Sequence, residues 1–265
     1  MTRPHLLILG GTAQARALAQ DLSARGDLAV TLSLAGRTER PLPQMTPGAG
    51  SVRNGGFGGV DGLARYLADA RVDAILDATH PFAARMSVNA AEAAQRCGVP
   101  LVALRRPAWT PVPGDLWHEV ESIAAAAATL GAAPQTVFLT IGRQEVAAFR
   151  AAPAHRYIIR SIDPVAPGDL PPRAETILAR GPFDVAAETA LLRDHAITVV
   201  VAKNAGGSDT YGKIAAARAC GLPVILVRRP AVPEVASVPD VPAAIAAVIA
   251  LLHAHPSGFA SARGE

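Results

Sequence analysis

Cysteine, methionine and aromatic residues are scarce in this 265-residue chain: two cysteines, three methionines and 4% aromatics. Cys97 and Cys220 each precede a glycine, with no second Cys or His at metal-ligand spacing. That excludes a disulfide framework, no protein metal site is evident, and both thiols are expected to be buried in a reducing cytoplasm. Charge is sparse too, at 18% with a net of +3. No basic run interleaved with aromatics occurs, so no nucleic-acid partner is expected and a small polyanionic ligand suits the balance better. No apolar stretch approaches the roughly 20 residues of a membrane helix, and the run behind residues 1–5 is too short for a signal-peptide core. The expectation is a cytoplasmic protein without a membrane partner.

What is present is an aliphatic, alanine-rich chain, 50% hydrophobic, long enough for one large α/β domain or two ordinary ones. Its organising stretch is Leu6-Leu7-Ile8-Leu9-Gly10-Gly11-Thr12, which runs into a helical pattern over 13–25 stopped by Gly26. A buried strand, a tight turn and a helix N-terminus make a seat for phosphate, so Gly10, Gly11 and Thr12 are candidate cofactor residues. Thr12 stands where the dinucleotide fingerprint has its middle glycine, and a Gly-Gly turn without ligand reads equally well. A second strand, 28–34, delivers Ala35-Gly36-Arg37-Thr38 to the same sheet edge. An NAD site wants Asp or Glu there. Arg37 with Thr38 suits the 2′-phosphate of NADP instead, although a solvated surface Arg is the plain alternative.

Residues 36–59 read as a long loop ending in Gly55-Gly56-Phe57-Gly58-Gly59, where backbone can lie against a flat ligand and Phe57 can cover it or plug the turn. A helix over 62–70 and a strand over 72–77 follow. They place Thr79 and His80 at the carboxyl edge of the sheet, ahead of a helix expected over 82–97. Strand 101–104 ends in Arg105-Arg106-Pro107, and 107–114, with three prolines, links two halves.

The second half echoes the first. Strand 137–141 runs into Gly142-Arg143 and a helix to about 151; further strands are expected at 156–161, 177–180 and 197–202. Gly181-Pro182 is expected to open a helix with Asp184 and Glu188 near its start. Cys-Gly-x-Pro, four apolar residues and Arg-Arg-Pro at 97–107 recur at 220–230, an offset of 123 that pairs His80 with Lys203. The loop from Lys203 to Lys213 offers two cations, glycines and hydroxyls as a cradle for carboxylates or phosphates, with Ser208 or Asp209 as N-cap. A last amphipathic helix is expected over 243–253 and a flexible tail over 254–265.

The motifs Leu-Ile-Leu-Gly-Gly-Thr at 7–12, Ser-Leu-Ala-Gly-Arg-Thr at 33–38, Gly-Gly-Phe-Gly-Gly at 55–59, Asp-Ala-Thr-His-Pro-Phe-Ala at 77–83 and Lys-Asn-Ala-Gly-Gly at 203–207 together resemble the precorrin-6A reductase family of cobalamin biosynthesis. The resemblance spans most of the chain. It implies two Rossmann-like α/β domains with mostly parallel sheets, 1–110 holding NADPH and 111–253 closing a substrate cleft between them. It also implies NADPH-dependent reduction of one macrocycle double bond of precorrin-6A to give precorrin-6B. Gly10, Gly11, Thr12, Gly36, Arg37, Thr38, Gly56, Phe57, Gly58 and Thr79 are then expected at the cofactor. Arg85, Arg143, Lys203, Asn204, Gly206, Gly207 and Lys213 are expected at the substrate's carboxylates.

His80 is the candidate proton donor, directly or through water, and equally a lining residue of the nicotinamide pocket. Hydride transfer depends chiefly on positioning. Whether the macrocycle carries cobalt stays open, as does a monomer against a small homo-oligomer. A short-chain dehydrogenase is excluded by spacing, since Tyr211 and Lys213 are two apart rather than four. Arg37 also argues against a methyltransferase, which wants an acid there. A non-catalytic dinucleotide sensor is the alternative of a different class.

Overall fold

A computed structural model describes residues 3–36 and 50–254. Arg37 and Thr38 lie outside the described residues, as does the tail beyond Ala254. The chain begins with β1 (His5–Leu9), α1 (Ala13–Ala24), β2 (Ala29–Leu34), β3 (Ser51–Asn54), α2 (Gly59–Asp69), β4 (Ala74–Asp77), α3 (Ala84–Cys97) and β5 (Leu101–Leu104). It continues with β6 (Leu116–Val120), α4 (Ile123–Thr129), β7 (Thr136–Thr140), a 3-10 segment (Arg143–Ala151), β8 (Arg156–Ser161), β9 (Ala174–Leu178), α5 (Val185–Asp194), β10 (Val199–Lys203), α6 (Gly212–Ala219) and β11 (Pro223–Val227). Last come β12 (Ser237–Val238) and α7 (Val241–Ala254).

Two six-stranded sheets result among the described residues, all of whose pairings are parallel: β12-β5-β4-β1-β2-β3 and β6-β11-β10-β7-β8-β9. Read from β3, the first sheet follows the doubly wound order 3-2-1-4-5-6, with β12 as its sixth strand. The second repeats that order, but its sixth position is filled by β6, the first strand of its unit. The duplication inferred from the sequence is thus a duplication of five strands, each copy completed by a strand from a different place in the chain.

One unit comprises the chain up to Arg106 together with everything from Ala231; the other is Pro107–Pro230. The C-terminal boundary differs from the sequence expectation. Ala244, Val248 and Leu252 of α7, spaced four apart, bury against the α1 side of the first sheet, not the second. Strand β1 shows why this sheet reads as an unbroken apolar run. Leu6 and Ile8 face α1 and α7, Leu7 and Leu9 face α2 and α3, and both faces are covered.

Several local expectations change. The 36–59 loop contains β3, a four-residue edge strand whose Val52 is exposed, so it carries no apolar period. The helix expected after Gly142 is 3-10, and the helix expected from residue 82 starts at Ala84. Asp184, not Pro182, caps α5, accepting from the Ala187 amide, and Glu188 lies in the first turn as expected but is buried. Tyr211, with no side-chain cap, precedes α6 in place of Ser208 or Asp209. Strand β6 and the alanine run of α4 have no counterpart in the sequence expectation, since neither has amphipathic periodicity.

Register corrects one pairing as well. Ile75 lies opposite Leu101 in the first sheet, and Val200 lies opposite Val224 in the second. The structural equivalent of Lys203 is therefore Ala78, and that of His80 is Ala205, two residues away from the offset the Cys-Gly-x-Pro repeat suggests.

Candidate active site

The first unit's candidate site lies where the strand order reverses, between the carboxyl ends of β1 and β4. Gly10 is required by packing: a Cβ there would sit 2.6 Å from Leu32 Cδ1. Its amide donates to Ser33 O at 2.9 Å, which fixes the turn against β2. Gly11 turns at φ +112°, and a Cβ there would meet nothing within 4 Å, so its backbone faces open space. Thr12 has two roles. Its hydroxyl accepts from the Ala15 amide at 3.0 Å as N-cap of α1, and donates to Ala78 O at 3.0 Å. The residue that replaces the fingerprint glycine thereby ties the glycine turn to the turn after β4.

That second turn is held from beneath by Asp77, a fully buried carboxylate. It accepts from the Thr79 amide (3.1 Å), the Thr79 hydroxyl (2.6 Å), the Ser87 hydroxyl (2.7 Å) and Arg105 Nη2 (2.6 Å). Burial pushes this carboxyl up, but the Arg105 charge and the hydrogen bonds prevail and hold it below the usual carboxylate range. Thr79, itself buried, spends its proton on Asp77. His80 is half-buried, and its Nδ1 accepts from the Phe82 amide at 3.2 Å. The ring proton of the neutral form then sits on Nε2. Arg85 is exposed in the first turn of α3, where the helix dipole disfavours a cation.

Gly36, Gly56, Phe57 and Gly58 gather at the ends of β2 and β3. Gly36 turns at φ +69° against the Gly55 backbone, and the Gly55 amide donates to Leu34 O at 2.9 Å. Phe57 acts as a plug: it packs edge-on to Tyr66 with centroids 5.2 Å apart and carries the Arg53 guanidinium at 3.8 Å. Arg53, to which the sequence reading gave no role, donates to Gly55 O (2.5 Å) and Gly56 O (2.8 Å) and so clamps the glycine loop.

In the second unit the expected substrate residues divide. Arg143 and Lys203 stand at the carboxyl edge; Arg143 Nη1 reaches Pro164 O at 3.4 Å and Lys203 pairs with Glu145. Asn204 is buried and saturated by Trp109, accepting from its amide at 2.8 Å and donating to its carbonyl at 2.9 Å. Gly206 exists because a Cβ would collide with Pro107 O, and Gly207 O accepts from the Trp109 indole at 2.8 Å. Lys213 is 4% exposed and donates to Thr210 O at 2.7 Å, so it is a buried cation rather than a surface grip. The sequence signal for Asp77, a carboxylate closing an apolar strand, was available. None existed for Trp109 and Asn204, which meet across 95 residues.

Among the described residues no group of three His, Cys, Asp or Glu could hold a metal, and no helix is long and apolar enough to cross a membrane. A doubly wound parallel sheet with a glycine turn and capped helix at its switch point defines an α/β protein of the Rossmann-like class. Residues 5–248 match the family model described as Precorrin-6x reductase CbiJ/CobK. A precorrin-6A reductase of Sinorhizobium sp is 55% identical over 240 residues, 89% of this chain and 90% of its own. A cobalt-precorrin-6A reductase of Salmonella typhimurium is 29% identical over 238 residues, covering 87% and 89%. The solved structure of CobK precorrin-6A reductase superposes with a TM-score of 0.85 at 46% identity, covering 95% of this chain and 97% of that one. The chain belongs to the precorrin-6x reductase family, oxidoreductases of cobalamin biosynthesis that reduce a carbon–carbon double bond. That activity is consistent with a nicotinamide cofactor.

Proposed function

We propose that the chain reduces precorrin-6A to precorrin-6B with NADPH, in the cytoplasm, and that its first unit holds the dinucleotide. The observation that carries this is the Thr12 bridge, which makes the Gly10–Gly11 turn and the Thr79–His80 turn one rigid ligand edge. The residues fit the cofactor. Gly11 leaves its backbone open to a pyrophosphate, the capped α1 N-terminus favours negative charge, and Arg37, by its sequence position after β2, suits a 2′-phosphate. When bound, NADPH supplies the hydride. The protein's part is to orient. Asp77 fixes the Thr79 hydroxyl and amide, and His80 offers a proton at Nε2 to the neighbouring substrate carbon, directly or through water. Arg85, Arg143 and Lys203 meet the macrocycle's carboxylates.

The metal-free substrate is favoured over the cobalt form by the higher identity to relatives named for it. The test is anaerobic NADPH oxidation with precorrin-6A and, separately, cobalt-precorrin-6A. Turnover with the first and a product two hydrogens heavier is expected. NADPH binding without turnover of either substrate would instead support the dinucleotide-sensor reading.

A further inference from the structure

In the second unit two cations, Arg160 and Lys213, are buried near the carboxylate of Glu188. Arg160 of β8 and Glu188 of α5, 7% and 2% exposed, form a two-pronged ion pair, one prong at 2.9 Å. Lys213 of α6 lies in the same cluster, its Nζ 5.2 Å from the Trp109 ring centroid. Burial and the Arg160 charge push this ammonium down to about 7, against the opposing pull of Glu188. Glu188 is already engaged by Arg160, so with Lys213 protonated the cluster carries one more positive charge than negative. Packing has no need of that charge, because an apolar chain of similar length would fill the space.

A cleft of about 650 Å³, lined by Trp109, Phe183, Val185, Ser208, Tyr211 and Gly212, shares the Trp109 and Phe183 rings with the cluster. Each buried cation is one aromatic ring away from it. The Arg160 guanidinium stacks 3.6 Å from the Phe183 ring centroid, and Lys213 lies against Trp109. Trp109 is immobilised by Asn204 and Gly207, and Gly212 has no room for a Cβ against Phe183 O. Val112 and Val185 line the cleft while 41% and 45% exposed. Asp184, the acid lining the cleft, spends its carboxylate on the Ala187 amide, and Arg218 of α6 is turned to Asp115 and the Tyr211 hydroxyl.

We infer that this cleft seats one carboxylate-bearing pyrrole ring of the substrate, the ring against Trp109, Phe183 and Tyr211 and the carboxylate held by the field of the Arg160–Lys213 cluster. The inference rests on the tetrapyrrole reading of the protein. It gives the saturated Asn204 and Gly207 a purpose: they hold the platform rather than the ligand. It also gives binding a pH dependence, since the charged groups facing Lys213 are Arg160 and Glu188 and the ammonium is the one of the three that titrates near neutrality.

The test uses the full chain with Trp117→Phe, leaving Trp109 as the single indole. Porphobilinogen, one pyrrole bearing an acetate and a propionate, is titrated while the Trp109 indole N–H resonance is followed. The resonance is expected to shift saturably, and affinity should fall up to about tenfold per pH unit as Lys213 deprotonates above its lowered value. Lys213→Met should bind about tenfold more weakly at pH 6.5 and show no such pH dependence. A Trp109 resonance unmoved by the probe, or a wild-type affinity flat from pH 6 to 8.5, overturns the inference without any variant. Turnover of precorrin-6A with KM unchanged in Lys213→Met sinks the cleft and spares the reductase. A shifted Trp109 in a protein that reduces no tetrapyrrole keeps the cleft and sinks the reductase.

Discussion

Asp77 ends a buried strand with a charge, and the surrounding groups make that charge the stable form. Its carboxyl is lower in the folded state than in the unfolded chain, so the stabilisation is complete above the unfolded value of about 3.9 and is lost as pH falls through the folded one. Asp77→Asn leaves Arg105 with its partner neutralised and frees Thr79. At neutral pH a loss of about 3 kcal/mol is expected by urea denaturation, shrinking toward zero in acid. Because Thr79 and His80 move with Asp77, kcat should fall more than NADPH affinity. Arg37 carries the companion prediction. If it reads the 2′-phosphate, Arg37→Ala weakens NADPH binding by about 10- to 100-fold and NADH binding hardly at all, measured by calorimetry; equal losses would remove the role. At this scale the Gly11 turn was legible because its φ of +112° is a local demand of the chain, whereas Gly10 is required by Leu32 of the neighbouring strand. The sequence did not show that Lys213 and Asn204 are buried, a state decided by Arg160, Glu188 and Trp109, residues remote in the chain.

Element α2 shows how local propensity yields to packing. Ala is a better helix former than Gly by about 1 kcal/mol, so Gly62→Ala in the interior of this helix ought to stabilise it. Instead a Cβ at Gly62 would collide with the carbonyl oxygen of Phe57. The substitution is expected to lower stability by roughly 1–3 kcal/mol and to displace the loop that Arg53 clamps, lowering dinucleotide affinity with it. Gly168→Ala, where a Cβ meets nothing within 4 Å, is the control and should leave the melting temperature and NADPH binding unchanged. The helix was legible from its period; the loop's clamp was not, because Arg53 sits on a four-residue edge strand that leaves no pattern.

At the scale of the whole molecule, the first unit is finished by the last segment of the chain. The Ala103 and Arg105 amides donate to Ala236 O and Val238 O at 2.8 Å, and α7 covers the α1 side of the sheet. A chain truncated after Pro230 would keep every residue of the second unit and lose these contacts from the first. Burial of Ala244, Val248 and Leu252 alone is worth on the order of 5 kcal/mol, so the truncated chain should lose NADPH binding and become protease-sensitive before residue 107 while 107–230 resists. Cleavage confined to 107–230 would instead assign α7 to the second unit, as the sequence suggested.

The sequence by itself determined the alternation of strand and helix, the glycine turns at the carboxyl edge and the duplication, since period, φ preference and the Cys-Gly-x-Pro repeat are local properties of the chain. Tertiary structure alone decided which sheet β12 and α7 complete, that Lys203 matches Ala78 rather than His80, and that Asn204 and Lys213 are buried beside Trp109. Those outcomes depend on which apolar faces meet and on charges brought together from elements far apart in the chain, and no spacing along the chain encodes them.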